Sequence, residues 1–215
     1  MDRIGWTWSA RPIRGAVHTL TSEKKGDIKL VRSIGSVAGQ LWFLPVVLVG
    51  ISAVSSWEFA CITPFVAFAV AAGYALSARA AVLTVMAIWL VNQAIGFGVL
   101  GYPWTVDTVL WGFAIGAAVV LAAVLACATL RFGFRNNVTA VGAAFVLALA
   151  AYEGGLFLVT FALGGQDAFT PAIVGHVALL NLGWTLGLVG TYEILRYSGA
   201  IPAERRRGYS APFPV

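Results

Sequence analysis

The sequence predicts an all-α polytopic membrane protein, a bundle of six transmembrane helices with both termini on the cytoplasmic side. Three features predict it: charge is scarce, apolar residues gather into long runs, and basic residues fall only in alternate connections. Of the 215 residues, 60% are hydrophobic and 11% charged; soluble domains carry about 25% charged residues. Six runs, at residues 37–54, 57–76, 80–100, 106–130, 138–163 and 171–195, are long enough to cross a hydrocarbon layer as helices. A single-chain barrel would show shorter segments of alternating polarity.

Helix-end chemistry sets the elements in order. Pro45 and Pro64 interrupt the first and second runs, where each removes a backbone hydrogen bond and predicts a kink. Ser55, Ser56, Trp57 and Glu58 have capping-box spacing at the start of the second helix. Ser77 precedes the third helix and Asn136-Asn137 the fifth. Thr170-Pro171 is a cap followed by proline at the first position of the sixth. Gly101, Gly164 and Gly199 follow helix ends, where a left-handed residue is favoured.

Orientation comes from the basic residues. Residues 1–36 form a basic tail holding Arg3, Arg11, Arg14, Lys24, Lys25, Lys29 and Arg32. The second connection holds Arg79, the fourth Arg131 and Arg135, and the C-terminal end Arg196, Arg205, Arg206 and Arg207. These account for all 14 Lys and Arg, and every one falls on the same side of a six-helix arrangement. The expected organisation is a cytoplasmic tail over 1–36, a transmembrane domain over 37–197 and a cytoplasmic tail over 198–215, in the cytoplasmic (inner) membrane. The pI near 9.6 therefore points to a membrane lipid surface and not to nucleic acid.

Composition and motif content exclude several classes. Cys61 and Cys127 fall in opposite leaflets, so neither a disulfide nor a cysteine metal site is expected. A haem protein needs axial ligands, and only His176 lies within a run. A retinal protein needs a lysine inside a helix, and none is present. No HExxH, GxSxG or Walker-type motif occurs, so no catalytic residue is assigned and no enzyme is expected.

The candidate site is a polar layer inside the membrane. Counting about 1.5 Å of rise per residue from the outer helix ends puts Asn92, Glu153 and Asn181 near the same mid-bilayer depth on the third, fifth and sixth helices. Gln93 adjoins Asn92, and His176 lies between this layer and the outer face. Ionisable groups at that depth are costly and usually face a pathway, a cavity or a partner. Glu153 is the strongest candidate, and the neighbouring Gly154-Gly155 pair predicts a close approach by a backbone or ligand. The structural alternative is an interhelical hydrogen-bond lock among Glu153, Asn92, Gln93 and Asn181. Glu193 and Arg196, three residues apart near the inner end, predict an ion pair. Glycine pairs at i,i+4 (Gly35/Gly39, Gly112/Gly116 and Gly183/Gly187) predict close helix contacts, the first of them facing another subunit.

With six helices, short loops and both ends inside, the chain resembles the substrate-binding S subunits of energy-coupling-factor transporters. The resemblance covers the whole length and implies a vitamin or metal bound within the bundle. It also implies an energising partner docked on small residues of the first helix, where Gly35/Gly39 stand. The leading expectation is a small-solute or ion binding and translocation protein. Glu153, Asn92, Gln93 and Asn181 would contact the solute or proton, and His176 would line the outer approach. The alternative is a non-catalytic accessory or assembly subunit of a larger membrane complex, contacting protein, pigment or lipid through glycine-rich and aromatic faces.

Overall fold

A computed structural model describes residues 43–56, 63–132, 134 and 136–201. Their helices are α1 (Phe43–Ser56), α2 (Phe65–Ala75), α3 (Ala78–Gly98), α4 (Val106–Arg131), α5 (Asn137–Leu163) and α6 (Pro171–Tyr197), with a 3-10 turn at Gln166–Phe169 before α6. No strand occurs among the described residues. Four helices, α3 to α6, are long and apolar enough to cross a membrane. Several sequence features lie outside the described residues: Gly35, Gly39, Trp57, Glu58, Cys61 and a tail helix expected near residues 27–35.

The expected helix ends appear where side chains can close them. Ser77 accepts from the Ala80 N–H and Thr105 from that of Thr108. Asn136 accepts from Val138, and Thr170, with Pro171 behind it, accepts from Ile173. Each satisfies a first-turn donor that the helix itself leaves open. Gly101, Gly164 and Gly199 take φ of 70°, 79° and 76°, a region open to glycine at no steric cost.

The first hairpin departs from expectation. Ser55 and Ser56 do not cap the second helix. They are helical residues of α1 and are buried, with the Ser55 hydroxyl donating to the Ser52 carbonyl at 2.9 Å. Nor does Pro64 kink a helix running from residue 57: α2 begins directly after it, with Pro64 at φ −78°, ψ 63° as its N-cap. Proline disfavours helical geometry in the residue before it, so Thr63 stands outside the helix and α2 is only 11 residues long. That is about 16 Å, half of a ~30 Å hydrocarbon layer.

This short helix is the centre of the fold. It is apolar all round, which demands burial on every side, and each of its residues except Tyr74 is buried. Helices α3, α4, α5 and α6 pack around it. Its small residues let neighbours close in: a Cβ at Gly73 would stand 3.3 Å from Cys127 Sγ and from Leu130 Cδ1.

One end of the bundle collects the basic groups. Arg131 donates to the Cys127 carbonyl at 2.8 Å and to the Leu76 carbonyl at 3.2 Å. It thereby closes the C-terminal ends of α4 and α2 together. Tyr74 donates to Glu193 Oε1 at 2.5 Å, and Glu193 pairs with Arg196 at 2.6 Å, as the i,i+3 spacing predicts. Arg79 follows in the first turn of α3. The arginines of the described residues, Arg79, Arg131 and Arg196, therefore share one end with the C-termini of α2, α4 and α6. Asp107 and Asp167 belong to the opposite end, in the first turn of α4 and in the 3-10 turn before α6.

Candidate functional site

The N-terminus of α2 opens halfway along the bundle, and the polar side chains of the neighbouring helices gather at that level. Asn92, on α3, donates to Thr63 Oγ1 at 3.0 Å and to Ser56 Oγ at 3.2 Å. The two hydroxyls stand 3.4 Å apart, and Gln93 donates to Asn92 Oδ1 at 3.2 Å. A second set forms on α6. Asn181 Oδ1 accepts from the Ala67 N–H at 3.1 Å, and its amide donates to the Val177 carbonyl at 3.0 Å. Ala67 is the third residue of α2, so its N–H has no acceptor within that helix. Asn181 thus caps α2 from across the interface. Thr185, one turn on, donates to the Asn181 carbonyl at 2.7 Å.

The layer expected from depth counting is therefore present as a level, and it divides into parts. Asn92 and Gln93 join α3 to the approach to α2, whereas Asn181 joins α6 to α2. Both sets are used up in contacts within the protein. Among the described residues no buried side-chain nitrogen or oxygen lacks a partner. Ser56 and Thr63 are members that sequence reading missed, because Ser56 looked like a helix cap and Thr63 lay inside an uninterrupted apolar run. The pair of hydroxyls flanking Pro64 was the available signal.

Glu153 reaches the same level without joining either set. The ring of its neighbour Tyr152 packs against Phe65 at the start of α2, with centroids 6.3 Å apart. Glu153 itself is half-buried, and no hydrogen bond or ion pair joins it to another described residue. Beside it, Gly154 and Gly155 have open space where a Cβ would stand. They are not a close helix contact in this chain. Gly154→Ala is accordingly expected to leave the melting temperature unchanged or slightly raised. Alanine favours a helix by about 0.8–1 kcal/mol over glycine, and thermal unfolding of the purified variant measures the outcome.

His176 is exposed on α6. Five residues separate it from buried Asn181, about 140° around the helix. It therefore stands well away from the face of α6 that meets α2, and it forms no part of the hydrogen-bonded sets at that level.

The glycine pairs separate in the same way. A Cβ at Gly112 would meet Gln93 Oε1 at 2.6 Å, and one at Gly116 would meet the Trp89 ring at 2.6 Å. Trp89 also donates to the Gly112 carbonyl at 2.9 Å. This pair seats α3 on α4. Gly183 and Gly187 have nothing within 4 Å of a Cβ. They line an apolar groove of about 580 Å³ between α1, α2 and α6.

No protein-family model matches this chain, no curated protein matches it, and no solved structure matches it. Among the described residues no group of His, Cys, Asp and Glu is placed to hold a metal ion.

Proposed function

We propose that the chain is a multi-pass protein of the cytoplasmic membrane that binds and translocates a small cation or protonatable solute, with Glu153 as the binding group. One observation carries this reading: at the level of the polar layer, Asn92, Gln93 and Asn181 are committed to neighbouring helices, while the Glu153 carboxylate has no partner among the described residues. A glutamate kept at mid-bilayer without a structural bond is disfavoured unless something else compensates it. Glutamine would serve a packing role at lower cost. In this reading the amides form the frame that fixes the start of α2, and the carboxylate acts.

The arginine end is assigned to the cytoplasmic face by the positive-inside rule, with both termini on that side and six crossings in all. A solute-binding subunit resembling the S subunits of energy-coupling-factor transporters is one form the function takes, with Gly35/Gly39 toward an energising partner.

The test is a ligand-dependent melting shift of the purified protein, read by tryptophan fluorescence against sodium, potassium, magnesium and choline. Wild type is expected to be stabilised by at least one cation. Glu153→Gln is expected to lose that shift while melting at the wild-type temperature in its absence. If Glu153→Gln melts lower and no cation shifts either protein, the residue is a structural lock and the reading is wrong.

The open space at Gly183 and Gly187 favours a second reading, an accessory subunit whose partner helix seats on α6. Mass measurement after gentle solubilisation separates the two. A stoichiometric protein partner lost in Gly183→Leu supports the accessory role.

A further inference from the structure

The proposed role of Glu153 leaves open how a ligand reaches it, and the packing narrows the route. The interior of the bundle is occupied by α2, whose residues Phe65–Gly73 are buried and almost wholly apolar. A hydrated ion finds no polar file there, because the buried polar side chains of the described residues are already bonded to one another.

The flank of α5 that faces α6 is different. Between these helices, at the arginine end, lies an open cleft of about 580 Å³ walled by Val138, Phe145, Leu182, Leu186 and Val189. That volume falls within the range of ordinary small-molecule sites. Gly142 is part of its α5 wall, and a Cβ there would meet nothing within 4 Å. Eleven residues separate Gly142 from Glu153, three helical turns to within about 20°. Glu153 therefore stands on the cleft face of α5, about 16 Å further from the arginine end. Beyond it, α5 and α6 are tied together by the short connection that holds the Gln166–Phe169 turn. The cleft is open at the arginine end, and the carboxylate stands toward its tied end.

Charge and polarity on this face identify the occupant. Glu193, at the mouth, is neutralised by Arg196 at 2.6 Å. Glu153 is then the carboxylate on this face with no cation beside it among the described residues, and it calls for a positive group. The walls call for an apolar body. A bare inorganic cation would shed its hydration between valine, leucine and phenylalanine side chains with little in return. An amphiphile dissolved in the bilayer arrives already desolvated along its chain.

We propose that the ligand of Glu153 is a lipophilic amine, which reaches it laterally from the bilayer through the α5–α6 cleft. Its protonated amino group meets the Glu153 carboxylate, and its hydrocarbon part lies between Phe145 and Leu186. This rests on the reading of Glu153 as a binding group.

The test uses the full chain in lipid nanodiscs with dodecylamine as probe and dodecanol as its uncharged counterpart. Dodecylamine is expected to bind and dodecanol to bind at least about tenfold more weakly. Glu153→Gln is expected to remove that preference. Gly142→Leu, which places a side chain in open space in the cleft wall, is expected to weaken amine binding about tenfold while the protein melts as wild type. Leu186→Phe, on the opposite wall, checks the result if Gly142→Leu melts lower. Equal binding of amine and alcohol overturns the proposal, because the cleft is then only an apolar slot. If sodium, potassium, magnesium or choline responds to Glu153→Gln while dodecylamine binding ignores both cleft variants, the inference falls and the reading of Glu153 stands. If neither kind of ligand senses Glu153→Gln, both fall.

Discussion

Replacing Asn181 by alanine is expected to lower the stability of the protein by about 2 kcal/mol and to loosen α6 selectively. Only Asn181 and Thr185 are buried in the whole of α6, so the helix holds to the bundle along one narrow line. On that line Asn181 Oδ1 takes the Ala67 N–H, a donor at the start of α2 that has no acceptor of its own helix. Leaving a buried donor open costs about 1–3 kcal/mol. Interhelical side-chain bonds in membranes average about 0.6 kcal/mol with a maximum near 1.7. The upper part of that range applies here, because Ala67 is fully buried and the Val66 and Phe68 side chains on either side are apolar. The remaining ties, Trp184 on Phe68 at 6.1 Å between ring centroids and Tyr74 on Glu193, keep α6 in place without fixing its pitch. Hydrogen exchange should therefore rise along α6 while α3 and α4 stay protected. Asn181→Leu separates the bond from the packing: it restores volume without an acceptor. Recovery of stability in that variant would show that packing, and not the cap, holds α6.

Gly116→Ala is expected to destabilise the protein by about 1–2 kcal/mol, and Gly112→Ala to be close to neutral, although the two residues form one i,i+4 pair. At Gly116 the new Cβ would lie 2.6–2.9 Å from three atoms of the Trp89 ring. That ring cannot swing away freely, because its N–H is bonded to the Gly112 carbonyl and its face rests against Phe113 at 6.2 Å. Overpacking against a pinned group costs about 1–3 kcal/mol, less about 1 kcal/mol recovered from helix propensity. At Gly112 the atom in the way is Gln93 Oε1 at 2.6 Å, the free end of a flexible side chain. It moves at the cost of one 3.2 Å bond to Asn92, which the propensity gain offsets. Chemical unfolding of both variants measures the difference, and equal losses would refute the pinned-ring account.

Much of this architecture was legible before any coordinates. Four long helices follow from the apolar runs, since a bilayer requires length and hydrogen-bonded backbone and little else. Ser77, Asn136, Thr170-Pro171, Gly101, Gly164 and Gly199 mark ends because capping is a local affair, settled within a turn. The Glu193–Arg196 pair is equally local. The first hairpin was misread for a related reason. The spacing of Ser55, Ser56 and Glu58 satisfies a capping pattern, but Pro64 and burial against α3 decide where the second helix starts.

Depth along a helix was determined by the sequence alone, because rise per residue is constant and the helix ends were marked. Asn92, Asn181 and Glu153 do meet the first turn of α2 at one level. Direction around the helix, and the identity of what stands opposite, were decided only by the tertiary structure. Asn181 turns inward to cap α2, Glu153 stands on a flank without a partner, and His176 points away from both. Gly112/Gly116 and Gly183/Gly187 share a spacing, yet one pair is filled by Trp89 and Gln93 and the other faces open space. Sequence periodicity places residues on a common face; whether that face is covered depends on side chains far away in the chain.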